Sequence, residues 1–313
     1  MLEIQGLYKH YGKFTALNGL NLELKKGELF GFVGPNGAGK TTTMKIVSGL
    51  LNADAGDVFV DGINIRKDKK KLKEKIGYMP DFFGVYDNLK VVEYMEFYAS
   101  IYGIEGKPAK KLIYELLELV NLSECAGNYV DGLSRGMKQR LCLARCLIHD
   151  PELLILDEPA SGLDPRARFE MKEILRNLNH KGKTIIISSH ILPELSQMCS
   201  TIGIIQKGTM VLKGTVEEIM QQMNVSNPLL IQVVEGQDKV ISLLKRNPFV
   251  ENIAIKGSNY SIGFKGNKVE EANLLHSLIE NDIRISSFFR QEGTLESLFI
   301  QITKEEEGEK IEV

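Results

Sequence analysis

The stretch Gly34-Pro-Asn-Gly-Ala-Gly-Lys40-Thr41-Thr42 decides the reading of this chain. An apolar run, Leu29-Phe-Gly-Phe-Val33, stands before it and reads as a buried strand; Met44-Lys-Ile-Val-Ser-Gly-Leu50 follows and reads as a helix start. A strand, a glycine-rich turn and a helix N-terminus bring unpaired backbone N–H groups and the positive end of a helix dipole to one spot. Glycine lets the backbone approach phosphates closely and adopt positive φ. Lys40 is spaced to reach β- and γ-phosphates, and the Thr41 hydroxyl to ligate Mg²⁺. The expected ligand is a nucleoside triphosphate with Mg²⁺.

Outward from this loop, two segments upstream, Leu2-Glu-Ile-Gln and Leu20-Asn-Leu-Glu-Leu24, alternate apolar and polar residues as antiparallel strands do, with an aromatic-rich turn expected around Tyr8 and Tyr11. Downstream, Gly56 to Gly62 reads as a strand ending in an Asp-Gly turn. The basic stretch Arg66 to Lys75 reads as a solvated helix face. From Val91 to Val120 the spacing turns helical, with Met95, Phe97, Ile101, Leu112, Leu116, Leu117 and Val120. Parallel-sheet runs return at Leu153–Leu156 and Thr184–Ser188, and a closing hairpin is expected from Ile202 to Leu212 with Lys207-Gly208 at its turn. Around Asn224–Pro228 the chain is expected to change domain. Beyond it, the order strand, helix, strand, strand, helix, strand matches a ferredoxin-like unit, followed by a last helix from Thr294 to Ile302 and a polar acidic tail.

A phosphate loop alone leaves kinases, GTPases and motor ATPases open. The strand Leu153–Leu156 ends in Asp157-Glu158, the first placed to serve Mg²⁺ and the second to polarise an attacking water. Upstream, Leu133-Ser134-Arg135-Gly136-Met137 opens another helix and forms a second anion-binding end. One nucleotide has no use for two such ends on one subunit. Two subunits packed head to tail would use both, each offering its serine end to the γ-phosphate held by the other. Ser161-Gly162-Leu163-Asp164 follows the carboxylates as a bridging turn, and Ser188-Ser-His190 ends the next strand, where an imidazole could contact the γ-phosphate. A kinase or GTPase explains neither Ser134 nor His190.

On these motifs, in this order, the first two-thirds of the chain resembles the ATP-binding subunit of an ABC transporter. The resemblance implies a P-loop cassette, α/β in class, with a mixed sheet core, an antiparallel β subdomain and an inserted helical subdomain at about 88–134. It sets the cassette at 1–223; the element order and composition beyond it set a small C-terminal α+β ferredoxin-like domain at 224–303 and the tail at 304–313. It makes Gly34, Pro35, Asn36, Gly37, Ala38, Gly39, Lys40, Thr41 and Thr42 the Walker A loop, Leu153 to Glu158 the Walker B strand, Ser134 and Gly136 the core of the signature motif, Asp164 part of the D-loop and His190 the switch histidine. Tyr11 matches the aromatic that stacks on adenine, Glu158 the general base, and Thr41, Asp157 and Asp81 the Mg²⁺ ligands. Two departures stand out. The signature reads Arg135 and Met137 at its third and fifth positions, and Asp81 replaces the family's glutamine after Ile76–Pro80.

The branch resembled pairs the cassette with a separate integral membrane subunit, often for export, and with a second cassette, the same chain or a paralogue. A soluble ABC-type ATPase acting on ribosomes, DNA or cofactor assembly is the alternative; the segment from Lys40 to Ser134 is too short for the long coiled coil of DNA-repair types, and only one cassette is present where ribosome-acting types fuse two. Composition agrees with a peripheral subunit. With 43% hydrophobic and 26% charged residues the 313-residue chain reads as globular, and a net charge of −2 gives no overall pull towards nucleic acid or anionic lipid. No apolar stretch is long enough to span a bilayer and the N-terminus has no signal-peptide pattern, so the expected location is the cytoplasmic face of the cell membrane. Four cysteines, Cys125, Cys142, Cys146 and Cys199, show no metal-ligand spacing, and Cys142 and Cys146 read as small buried apolar residues.

Overall fold

The computed structural model describes residues 1–81, 84, 88–219 and 228–290. The chain forms two compact units, Met1–Val216 and Glu217–Val313. The division falls before the change of domain expected at 224–228, and residues 220–227 lie outside the described ones.

The first unit opens with an antiparallel sheet: β1 (Leu2–Tyr11), β2 (Phe14–Leu24), β4 (Ala55–Val60) and β5 (Ile63–Asn64), in the order β2-β1-β4-β5. No turn forms around Tyr8; β1 continues through both tyrosines and reverses only after Tyr11, which pairs with Phe14. The aromatic composition read as a turn is equally that of a strand, and shifts in register near Gly6 and Lys9 carry the strand past its polar positions.

The second sheet has the order β10-β9-β3-β8-β7-β6. In it β3 (Leu29–Val33), β6 (Ile76–Met79), β7 (Leu153–Leu156), β8 (Thr184–Ser189) and β9 (Thr201–Gln206) run parallel, and β10 (Thr209–Thr215) closes the edge antiparallel to β9. Every residue of β3, β7 and β8 is buried, as strands covered on both faces require. The helix after the loop, α1 (Lys40–Val47), places Met44, Ile46 and Val47 in one core with Leu2, Leu20 and Val58 of the first sheet and Phe30, Ile155 and Ile186 of the second. The phosphate loop is therefore anchored where the two sheets meet.

The basic stretch yields α2 (Lys69–Lys75), with Leu72 buried under it. The helical subdomain supplies α3 (Val91–Ile101) and α4 (Gly106–Leu119). Of its predicted apolar positions Met95, Leu116, Leu117 and Val120 are buried, while Phe97 and Ile101 are exposed. Two further helices, α5 (Arg135–Leu147) and α6 (Pro165–His180), flank the parallel sheet in sequence, and the short α7 (Leu192–Ser196) follows β8. Cys142 and Cys146 are buried on α5 as expected.

The second unit contains β11 (Leu229–Glu235), α8 (Gln237–Arg246), β12 (Val250–Lys256), β13 (Asn259–Phe264), α9 (Lys268–Glu280) and β14 (Arg284–Arg290). Its antiparallel sheet has the order β12-β13-β11-β14, the ferredoxin-like arrangement, and a core of Leu229, Ile231, Val240, Leu244, Ile262 and Leu278. The predicted helix at Thr294–Ile302 and the tail at 304–313 lie outside the described residues.

Candidate functional site

The loop after β3 reaches α1 through Gly39, which caps the helix at φ 110° with no side-chain partner. A Cβ there would stand 2.6 Å from the Ala16 carbonyl oxygen, so both conformation and space demand glycine. With no capping side chain, the first N–H groups of α1 stay available to an anion. Pro35 through Thr42 line a cleft of about 330 Å³ together with Tyr11, Phe14, Ala16, Asp81, Glu158, Ser161 and His190.

Lys40 is buried and folds back over its own loop. Its Nζ donates to the carbonyl oxygens of Gly34 at 2.5 Å and Pro35 at 3.3 Å, and stands 3.8 Å from Glu158 Oε1. Burial lowers its pKa, and the carboxylates of Glu158 and Asp157 oppose that shift.

β7 delivers Asp157 into the interior, 1% exposed. Ser188 Oγ, from the end of β8, donates to Asp157 Oδ1 at 2.6 Å and accepts from the Glu158 N–H at 2.9 Å. One hydroxyl thus ties both carboxylate residues to the neighbouring strand. Asp157 Oδ2 is buried with no hydrogen-bond partner among the described residues. A buried orphan carboxylate oxygen is costly unless a cation completes it; Thr41 and Asp81, the other two expected ligands, line the cleft itself. This donor set, all oxygen, suits Mg²⁺.

Glu158 takes φ 51°, the left-handed region that non-glycine residues rarely enter, and its side chain is only 12% exposed. Burial raises its pKa above the usual carboxylate range, opposed by His190 and Lys40. His190 Nδ1 lies 3.0 Å from Glu158 Oε2; a carboxylate only accepts, so Nδ1 carries the proton in this contact. A poised carboxylate held by an imidazole beside a phosphate loop is an arrangement for taking a proton from water.

Tyr11 and Phe14, paired across the β1–β2 turn and 49% and 56% exposed, supply the cleft's aromatic lining. Phe14 was not among the predicted residues, although the two-residue Gly12-Lys13 turn pairs it with Tyr11 and would have found it. Ser188 was likewise not assigned a role, whereas Ser161 was expected only as the start of the bridging turn. The phosphate loop and β2 are joined by the β9–β10 turn: Gly208 donates to Ala38 O at 2.9 Å and accepts from Asn18 N–H at 3.0 Å. Gly208 has φ 77°, and a Cβ there would stand 2.6 Å from Ala16 O.

Five predicted residues do not line the cleft of their own chain: Gly34 and Asp157, which lie behind its wall on Lys40 and Ser188, and Ser134, Gly136 and Asp164. Ser134 caps α5, accepting from Met137 N–H at 3.3 Å, and is exposed. Gly136 is buried against α6, where a Cβ would stand 2.8 Å from that of Ala167; packing alone accounts for its glycine. Asp164 caps α6 through Ala167 N–H at 2.9 Å. Among the described residues no helix is long and apolar enough to cross a membrane.

The family model described as ABC transporter matches residues 17–161. The chain is 35% identical over 305 residues, 97% of its length and 98% of the relative's, to the Linearmycin resistance ATP-binding protein LnrL of Bacillus subtilis (strain 168). It is 32% identical to the Nod factor export ATP-binding protein I of Burkholderia pseudomallei (strain 1710b), over 97% of each chain. Among solved structures, a dimeric ATP-binding cassette in a post-hydrolysis state bound to ADP and Pi superposes with a TM-score of 0.63 at 26% identity, covering 69% of this chain and 99% of that one.

Proposed function

Because the chain belongs to the ATP-binding cassettes of ABC transporters, we propose that it binds and hydrolyses MgATP in a head-to-tail pair of cassettes and so drives export through a separate membrane subunit. The observation that carries the reading is the meeting of Lys40, Glu158 and His190 in a cleft that Tyr11 and Phe14 also line, with Asp157 buried behind them on Ser188. The triphosphate lies on the N–H groups of the loop and of α1, and adenine stacks on Tyr11. Lys40 exchanges the carbonyls of Gly34 and Pro35 for phosphate oxygens, which relieves its burial with a full opposite charge. Thr41, Asp157 and Asp81 would hold Mg²⁺, which when bound neutralises phosphate charge. Glu158 takes the proton of the attacking water, a contribution of roughly 10²–10⁴ in rate, and His190 keeps the carboxylate oriented while it does so. The export direction is supported by relatives whose names carry linearmycin resistance and Nod factor export.

The exposed position of Ser134, away from its own cleft, supports its use on the nucleotide of a second cassette. The test is complementation. Chains carrying Ser134→Arg or Lys40→Ala are expected to be inactive alone. Mixed, they form dimers that keep one intact composite site and recover part of the ATPase activity. Mixed dimers that are demonstrably formed and still inactive would count against sharing between subunits.

A further inference from the structure

The position at which the signature departs from its family has a defined place in the fold. Arg135 is the first residue of α5, and its guanidinium lies against Gly162: a Cβ built on Gly162 would stand 2.6 Å from Arg135 Cζ, 2.7 Å from Nη1 and 2.9 Å from Nη2. Gly162 has φ 67°, so any other residue there would be strained as well as blocked. One helical turn on, Gln139 Nε2 donates to Ser161 O at 3.2 Å. Between these two, Gly136 packs on Ala167 and Leu163. One side of α5 therefore grips the Ser161-Gly162 turn.

The same turn is fastened to the proposed base. Ser161 N–H donates to Glu158 O at 3.0 Å, and Ser161 lines the cleft beside Glu158. Glu158 keeps a strained φ of 51°, a conformation that persists only where its surroundings over-determine it. Ser188 fixes its N–H, and the Ser161-Gly162 turn fixes its carbonyl. Charge does not explain the contact. Arg135 makes no ion pair among the described residues, and a cation in the first turn of a helix gains nothing from the dipole. Its flat face on a residue without a side chain is what the geometry uses.

We propose that Arg135 is a positioning residue for Glu158: its guanidinium, with Gln139, clamps the Ser161-Gly162 turn, and the turn holds the base in its strained conformation. The proposal rests on the reading of Glu158 as the base. It makes α5 a lever. The helix that presents Ser134 to the nucleotide of one site is tied through Arg135 to the base that acts on the nucleotide of the other.

The test compares steady-state ATPase activity of the full-length chain with equilibrium binding of a fluorescent ATP analogue. Arg135→Ala is expected to lower kcat about tenfold, the scale of a slightly misplaced reacting group, with KM and analogue binding unchanged. Arg135→Lys keeps the charge but not the flat face and is expected to show the same loss. Gly162→Ala is expected to cost less in the Arg135→Ala background than in the wild type, because the guanidinium it displaces is already gone. Wild-type kcat in Arg135→Ala, full recovery in Arg135→Lys, or a loss that appears equally in analogue binding each overturns the proposal. Glu158→Gln measured alongside separates the two readings. If it hydrolyses ATP like wild type, the assignment of the base has failed; if it is inactive while Arg135→Ala is unaffected, only the clamp has failed.

Discussion

Around the phosphate loop the charged groups are buried and held from several sides, whereas at the aromatic end Tyr11 and Phe14 stand about half exposed, with the Lys9 ammonium 5.7 Å over the Tyr11 ring. The difference follows from the interactions each end supplies. Electrostatic stabilisation is strong only where water is excluded and the dipoles are already oriented, so Asp157, Glu158 and Lys40 are tied down by Ser188, His190 and the loop carbonyls. Stacking on a base needs a plane and tolerates motion, so two rings on a hairpin tip suffice. One end is therefore sensitive to single atoms and the other to the presence of a ring.

The sharpest way to break this comparison is Glu158→Gln, which replaces one oxygen by nitrogen. It is expected to lower turnover by at least about 10²-fold while ATP still binds, and to accumulate an ATP-bound dimer detectable by size-exclusion chromatography. Equal turnover in this variant would remove the carboxylate from the mechanism. As the proposed base, Glu158 would work ionised, and burial has raised its pKa. Turnover is therefore expected to fall as pH drops through a limb lying above that of an ordinary glutamate, and a limb in the ordinary range would mean that Glu158 is solvated during catalysis.

Next in size is Ser188→Ala, which removes one hydroxyl shared by two carboxylate residues. Losing hydrogen bonds to a charged group is expected to lower kcat about thirtyfold and to raise the Mg²⁺ concentration needed for half-maximal activity. The check is ATPase activity titrated with Mg²⁺, and an unchanged titration would show that the bridge is dispensable. The smallest effect belongs to the exposed end. Tyr11→Ala is expected to weaken ATP binding about fivefold, the low end for base stacking because the ring stays half in water, with kcat unaltered. Phe14→Ala should cost less still, and Tyr11→Phe nothing. If Tyr11→Ala changed kcat rather than affinity, the two ends would not divide the work as described.

Much of the fold and part of the site were legible because the decisive groups are neighbours in sequence. The loop Gly34–Thr42 and the pair Asp157-Glu158 each carry their strand and turn with them, so a short motif reports a three-dimensional arrangement. The six β and α segments of the second unit could be ordered for the same reason, since each has its own periodicity. What escaped was contributed across the sheet. Ser188 meets Asp157 only because β8 lies beside β7 in register, and nothing local to either strand marks the serine as a bridge. Tyr8 and Tyr11 were read as a turn because composition cannot tell a strand end from the reversal that follows it. Arg135 looked like a defect in a motif until the turn at Gly162 gave its side chain a surface.

The Lys207-Gly208 turn reaches two places at once. Its glycine is bonded by main chain alone to Ala38 in the phosphate loop and to Asn18 on the strand behind Phe14. The phosphate loop and β2 are thus tied to a single residue with no side chain to flex. Under the proposed reading, a change at Gly208 would be felt by the phosphate loop and by β2 together, as a hinge pin is felt by both leaves of a door.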